Sequence, residues 1–428
     1  MEQVQEAPTV ARQNTRSEYE KWQWRALIGV TFCYLFYYTG RQTFGFAIPG
    51  IQEEFGFTKQ SLGWISASML WGYAVGQSIN GNLGDKFGGK TMMVLGAVLS
   101  FAANWTMSFA GSFTMMLIIW CANGYFQSMG FAPGSRLLSN WWGHERRGFV
   151  YGVYVGFSGF SSVIAFAIPI LLLGPLDLSW HSIFRIPVLL ILVGALTLWL
   201  FVCEKPEDRG LKSLADQDDL VASAAGEDQL SSRDRYLRVL KSWRLYATGV
   251  SIGCQNAARY ALIVWVPVHL LGPQWKTTES SISPVWVTLA LPVGMALGAL
   301  SNGWVSDRIF KSRRYLAIIS YMCGACVLAV AMMYTHQGSV LGAVLMFFCG
   351  FFVFGPASSF WALCPDLFGR KYAGTATGLL NCISYGFAGL GEPLIGHTMD
   401  LTGQTGVIFP IVAVLCIVSA IFAYVIKK

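Results

Sequence analysis

Apolar residues run for roughly twenty positions at a time along this chain, separated by short polar breaks, and each run is long enough to cross a bilayer as a helix. The runs fall at about 25–49, 60–83, 91–110, 113–138, 147–174 and 187–203, then at about 244–270, 282–304, 315–335, 338–363, 371–398 and 406–426. Between the two sets lies a polar stretch containing EKPEDRGLKSLADQDD and GEDQLSSRDR, with charges of both signs and few aromatics. That composition reads as a linker with some surface helix. The pattern predicts an all-α integral membrane protein of twelve transmembrane helices. Its expected parts are a tail over 1–24, a six-helix bundle over 25–203, a linker over 204–243 and a second six-helix bundle over 244–428.

The two sets repeat one another. GNLGDKFGGK, with Asp85, answers NGWVSDRIFKSRR, with Asp307. GFAPGS around Pro133 answers FGPASS around Pro356, and RRGFVYG with Gly148 answers KYAGTATG with Gly374. Each offset is close to half the chain, far longer than the unit of a soluble repeat array. A repeat of this length predicts two pseudo-symmetric bundles with a substrate site between them near the bilayer midplane.

Composition supports the membrane class. Of 428 residues, 54% are hydrophobic and only 12% are charged, about half the charge of a soluble domain. The net charge of +7 is spread over short loops, which excludes a nucleic-acid reading. Arg12, Arg16, Lys21, Lys86, Lys90, Arg146, Arg147, Arg308, Lys311, Arg313, Arg314, Arg370, Lys371, Lys427 and Lys428 occupy one set of loops and tails; Lys59, Arg185 and Lys276 occupy the other. The bias places both termini and the linker in the cytoplasm, in a membrane of the bacterial inner type. The opening residues lack the apolar core of a signal peptide. Cys323 and Cys326 form CGAC, a redox or zinc pair on one reading and small residues of a membrane helix on the other.

Two arginines stand out against this background. Arg41 lies in FCYLFYYTGRQTFGFAIP and Arg259 in SIGCQNAARYALIVWVPVHL, at matching places in the two halves. A guanidinium inside an apolar span is costly and usually faces a water-filled path. Two matched cations predict one central anion site, most simply for phosphate, whose oxygens suit the bidentate guanidinium fork. The structural alternative is an arginine capping backbone carbonyls.

Over nearly its whole length the sequence resembles the major facilitator superfamily, carried by GxLGDKFGGK and its weaker second copy. More narrowly, YLFYYTGRQTFGFAIP, NGYFQSMGFAPGSRLLSNWW and ARYALIVWVPVHL are similar to the organophosphate:phosphate antiporters. The resemblance implies that Arg41 and Arg259 are phosphate ligands, that Tyr34, Tyr38 and Tyr73 line the site, and that inorganic phosphate is the counter-substrate of a phosphate-bearing anion. Three positions depart from that family: Gln77 stands in place of a lysine, Phe157 in place of a histidine and Asn256 in place of a tyrosine. WGYAVGQSINGNLGD is also similar to the sugar-acid and organic-anion symporters, which put an aspartate where Gly40 stands.

Beside the resemblance, each side chain has a structural reading as well. Tyr38 lies one turn before Arg41 on the same face, and Tyr34 and Tyr73 could equally be packing aromatics. Gln77 and Asn256 either contact the organic part of the substrate or bridge helices. Glu392 is a proton-coupling acid, a partner for a substrate ammonium, or half of a helix-end ion pair. Asp85, Lys86, Asp307 and Arg308 are expected as ion pairs that hold the gate closed on the cytoplasmic side, with Arg136 in a structural role beside them.

No GxxxxGK[ST] or HExxH is present, so neither an ATP-driven pump nor a metalloenzyme is indicated. No cofactor and no metal are expected. The partners are a small phosphate-bearing anion, inorganic phosphate and the bilayer, with the chain acting as a monomer. The expected function is exchange transport; the alternatives are proton-coupled organic-anion symport and a transporter-like organophosphate sensor.

Overall fold

The computed structural model describes residues 7–142, 146–211, 232–271, 284–311, 313–335, 339–368 and 373–426. It is helical throughout, with no strand among the described residues. The first part holds α1 (Ala7–Tyr37), α2 (Phe44–Phe55), α3 (Lys59–Phe87), α4 (Gly89–Met107), α5 (Phe113–Gln127), α6 (Phe131–Trp141), α7 (Arg147–Leu173), α8 (His181–Arg185) and α9 (Leu189–Phe201). A short α10 (Ser232–Leu240) leads into α11 (Trp243–Leu270), α12 (Pro284–Val305), α13 (Arg314–Met332), α14 (Val340–Phe354), α15 (Ala357–Phe368), α16 (Ala373–Thr402) and α17 (Ile408–Val425).

Several apolar runs are broken, and each break has a local cause. The run at 338–363 divides into α14 and α15 at Gly355-Pro356, where proline has no amide hydrogen and disfavours helix in the residue before it. The run at 113–138 divides into α5 and α6 at Ser128–Gly130. The first run divides into α1 and α2 around a tight 3₁₀ turn, Tyr38–Gly40. Helix α1 starts well inside the polar tail, so tail and first span are one continuous rod as far as Tyr37.

Among the described residues, five stretches are long and apolar enough to cross a membrane on length and composition: His181–Phe201, Trp286–Phe310, Arg314–Met332, Val340–Phe368 and Thr405–Val425. Helix α11 is not among them. It is buried along almost its whole length and carries Gln255, Asn256 and Arg259, as expected of a helix at the centre rather than against lipid.

The packing repeats between the two parts. Helix α1 lies against α9 and α7, as α11 lies against α17 and α16. Helix α3 lies against α5, as α12 lies against α14. Two matched seams join the parts, α3 with α16 and α7 with α12, and α2 also meets α11.

The α3–α16 seam is closed at one end. A Cβ on Gly396 would stand 2.3 Å from the Lys59 carbonyl, and one on Gly63 would stand 2.6 Å from the Glu392 carbonyl; only glycine allows backbones this close. Asp400 seals that end by accepting from the backbone amides of Lys59 (3.1 Å) and Gln60 (2.8 Å). It thereby caps one part's helix with the other part's carboxylate. The rings of Tyr73 and Tyr385 still touch, 4.6 Å between centroids. Beyond them the helices part: a side chain added at Gly81 or Gly378 would meet nothing within 4 Å.

At that opposite end the start of the linker is docked rather than loose. Glu204 accepts from the amides of Gly89 (2.7 Å) and Lys90 (2.8 Å) and so caps α4. Trp141 stacks on Trp22 and donates to the Cys203 carbonyl at 3.0 Å. Burial, with the Glu207 carboxylate nearby, pushes the Tyr19 phenol up to about 12.

Candidate substrate site

The break in the first span presents Arg41. In a continuous helix the Gly40 carbonyl would accept from the amide four residues on. Here it accepts instead from Asn123 Nδ2 at 2.8 Å and Asn104 Nδ2 at 3.1 Å. Ser100 donates to Asn123 Oδ1 (2.7 Å), and Gln127 donates to Ser100 Oγ (2.7 Å). This buried network from α4 and α5 takes over the backbone acceptor that the break releases. Gly40 has no room for a side chain, since a Cβ would lie 2.8 Å from both Gln127 Nε2 and Ile191 Cδ1.

Arg41 and Arg259 come together although they lie in different halves of the sequence. Both are buried, and they interact electrostatically with each other and with Tyr38 and Tyr260. The Arg41 guanidinium lies over the Tyr38 ring at 3.9 Å and near the Tyr73 ring at 5.0 Å. The Arg259 guanidinium lies over Phe354 at 4.2 Å and beside Tyr260 at 5.3 Å. Tyr385 joins the two groups, packing on Tyr73 at 4.6 Å and on Tyr260 at 5.9 Å. Among the described residues neither guanidinium has an acidic partner within 4 Å, and the Nε of each has no hydrogen-bond acceptor. Cation–π contact partly compensates such a charge, but the Nε donor of each stays unsatisfied. Two like charges in a shared poorly solvated space call for an anion.

Of the other expected site residues, Tyr38 and Tyr73 are in place against Arg41. Tyr34 stands behind Tyr38, 5.8 Å between ring centroids, within an aromatic group that includes Tyr37, Phe131 and Tyr154. Gln77 follows Tyr73 by one turn, and its Nε2 is buried without a partner among the described residues. Asn256, one turn before Arg259, donates weakly to the Ser384 carbonyl at 3.4 Å and so links α11 to α16.

Glu392 is set apart from this group. It is buried in the closed stretch of seam between α3, α11 and α16. Oε2 accepts from the Trp265 indole at 3.0 Å, Ser66 is its other neighbour, and Oε1 has no partner among the described residues. Trp265 lies six residues beyond Arg259, about 9 Å along the helix. Of the three readings of Glu392, the helix-end ion pair does not form among the described residues.

The expected gate charges are arranged differently from the sequence reading. Asp307 pairs with Arg314 at 2.7 Å, across the π turn Ser306–Phe310, and Arg308 is exposed. Arg314 also reaches Asp366 at 3.3 Å, tying α13 to α15. Lys86 is exposed with its ammonium 5.3 Å from the Phe87 ring, and Arg136 is exposed on α6. The Asp85 side chain lies outside the described residues.

Sequence reasoning missed Tyr260, Tyr385 and Phe354, whose aromatic character did not separate them from the other aromatics of the spans. It also missed Asn104 and Asn123. Their signal was available: polar amides inside apolar runs seek partners.

Comparison with known proteins settles the family. The Major Facilitator Superfamily model matches residues 30–392. The chain belongs to this superfamily. It is a multi-pass integral membrane protein, as its hydropathy predicts. It is similar to the glycerol-3-phosphate transporter of Bacillus subtilis, with 26% identity covering 94% of this chain and 92% of that one. It is also similar to a probable hexose phosphate transport protein of Chlamydia pneumoniae, with 25% identity covering 95% and 92%. The expected resemblance to the glycerol-phosphate and hexose-phosphate carriers therefore runs over almost the entire chain. Among solved structures, the fold matches a bacterial homologue of the human lysosomal transporter Spinster, with TM-score 0.70 at 12% identity over 95% of each chain.

Proposed function

We propose that this chain is a secondary transporter that exchanges an organophosphate, or a phosphonate, for inorganic phosphate. The observation that carries the reading is the pair of buried guanidinium groups, Arg41 and Arg259, which share a group of tyrosines and, among the described residues, have no acidic partner. A phosphoryl dianion matches their combined charge and supplies acceptors for their free Nε donors. Tyr73, Tyr260 and Tyr385 supply hydroxyl donors for the remaining oxygens, and Tyr38 packs its ring on Arg41. The names of the relatives, which carry glycerol phosphate and hexose phosphate, agree with this chemistry.

Twelve spans form two six-helix bundles, 25–203 and 244–428, joined by the linker 204–243, and each bundle contributes one arginine. Both termini and the linker lie in the cytoplasm of a bacterial inner membrane. The Asp400 end is then the outer end, and the structure is an inward-facing form. The empty site holds two repelling cations and resists closure at both ends. A bound phosphate draws the bundles together through both arginines, so the loaded carrier rocks between its two forms more readily than the empty one. That difference makes exchange obligatory.

The proton-coupled symporter reading is disfavoured by Gly40. Those carriers place a carboxylate there, and here the position has no space for any side chain. Counterflow tests the proposal. Vesicles containing the purified protein and loaded with labelled phosphate should lose label to external organophosphates and retain it in plain buffer. Rapid uptake into vesicles without internal phosphate would overturn obligatory exchange. Binding without movement of label would indicate a sensor.

A further inference from the structure

We propose that α10 and the foot of α11 form a binding surface for anionic phospholipid headgroups. Three observations place this segment at the membrane boundary. First, α11 and α17 run antiparallel: Ser251 and Ser419 each donate to the other's carbonyl at 2.8 Å, while His269 meets Thr405 and Phe409 at the far end. Tyr246 and Tyr424, each five residues from that serine pair, therefore stand at one height. Second, the outward stripe of α17, Val414, Ile417 and Ile421, ends in exposed Tyr424. An apolar stripe that ends in an aromatic marks the junction of hydrocarbon and headgroups. Third, α11 is buried over most of its length but exposes Tyr246 and Trp243 at that height, with Trp243 57% exposed.

Helix α10 continues this boundary. Val239 is buried and plants the helix on the protein, and the Tyr246 hydroxyl donates to the Leu240 carbonyl at 2.9 Å and fixes the turn between the helices. Tyr236, Leu237 and Leu240 are exposed. The sequence puts Arg233, Arg235, Arg238, Lys241 and Arg244 into the same stretch against a single acid, Asp234. Apolar side chains and cations sharing one short segment beside a membrane helix are the makings of an interfacial anchor. Arg and Lys bury their stems in the acyl boundary and hold the charge at phosphate level. A zwitterionic surface satisfies the apolar part alone; the excess of positive charge selects an anionic one. Because α10 also packs on α16, lipid engaged here bears on the helix that forms the central seam.

The test uses the full chain in lipid nanodiscs and does not depend on transport. Backbone amide exchange over residues 232–246 is compared in phosphatidylcholine discs and in discs that also contain phosphatidylglycerol. The expected result is exchange about ten-fold slower in the anionic discs, lost on raising salt and lost in the variant R238Q/K241Q/R244Q. Equal exchange in the two lipids for the unaltered protein overturns the proposal. Slowing that survives in the triple variant, or in high salt, overturns the assignment to these cations.

Discussion

Asn123 Nδ2 donates to the Gly40 carbonyl at 2.8 Å, and this bond fixes the break in the first span from which Arg41 projects. Asn123→Ala leaves the carbonyl with Asn104 alone. Loss of a buried hydrogen bond of this kind costs about 1–3 kcal/mol. We expect phosphate exchange to fall about ten-fold or more, mainly as a raised KM, because the guanidinium loses its set position. Asn123→Ser restores part of it. An unchanged KM in the alanine variant would separate the network from Arg41.

Arg41→Lys and Arg259→Lys should each abolish exchange. An ammonium keeps the charge but cannot offer the two parallel donors of a guanidinium fork. Labelled-phosphate counterflow measures this directly. Near-normal exchange in either lysine variant would mean that charge alone suffices at that position.

Asp400→Ala removes the acceptor shared by the Lys59 and Gln60 amides. A lost helix cap costs about 1 kcal/mol, so the closed seam weakens and the opposite form gains population. A cysteine introduced at Ser66 should then react about five-fold faster with a membrane-impermeant maleimide added outside. No change would show that the glycine contacts alone hold the seam.

Glu392→Gln keeps an acceptor for the Trp265 indole and removes the buried carboxylate of the closed seam. A carboxylate sealed without a cation is costly, whereas an amide is indifferent to pH. The variant should still exchange phosphate, with a flatter dependence on external pH. Identical pH profiles would assign Glu392 a purely structural role.

Arg314→Gln breaks the bonds to Asp307 and Asp366 together. These groups are partly exposed, so the effect on stability is about 1 kcal/mol or less. The expected change is in the rate of exchange, with phosphate affinity preserved. Loss of affinity would mean that this cluster reaches the site.

Membrane class, helical content and the halfway repeat were legible in the chain because each is local and additive. A run of apolar residues satisfies its backbone only as a helix in lipid, and every residue of the run votes for it. Arg41 and Arg259 were legible for the same reason, since a charge inside such a run has no neutral explanation. Their meeting at one central site was expected from the repeat, but Tyr385 bridging their aromatic partners and the withdrawal of Glu392 into the seam came only with the packing of α3, α11 and α16. The pairing of Asp307 with Arg314 likewise came only with the structure, because Arg314 lies beyond the π turn Ser306–Phe310 on the next helix. Hydropathy reports the cost of putting one residue in lipid; which residue it meets across a helix interface depends on rotation and register, and a single sequence does not carry those.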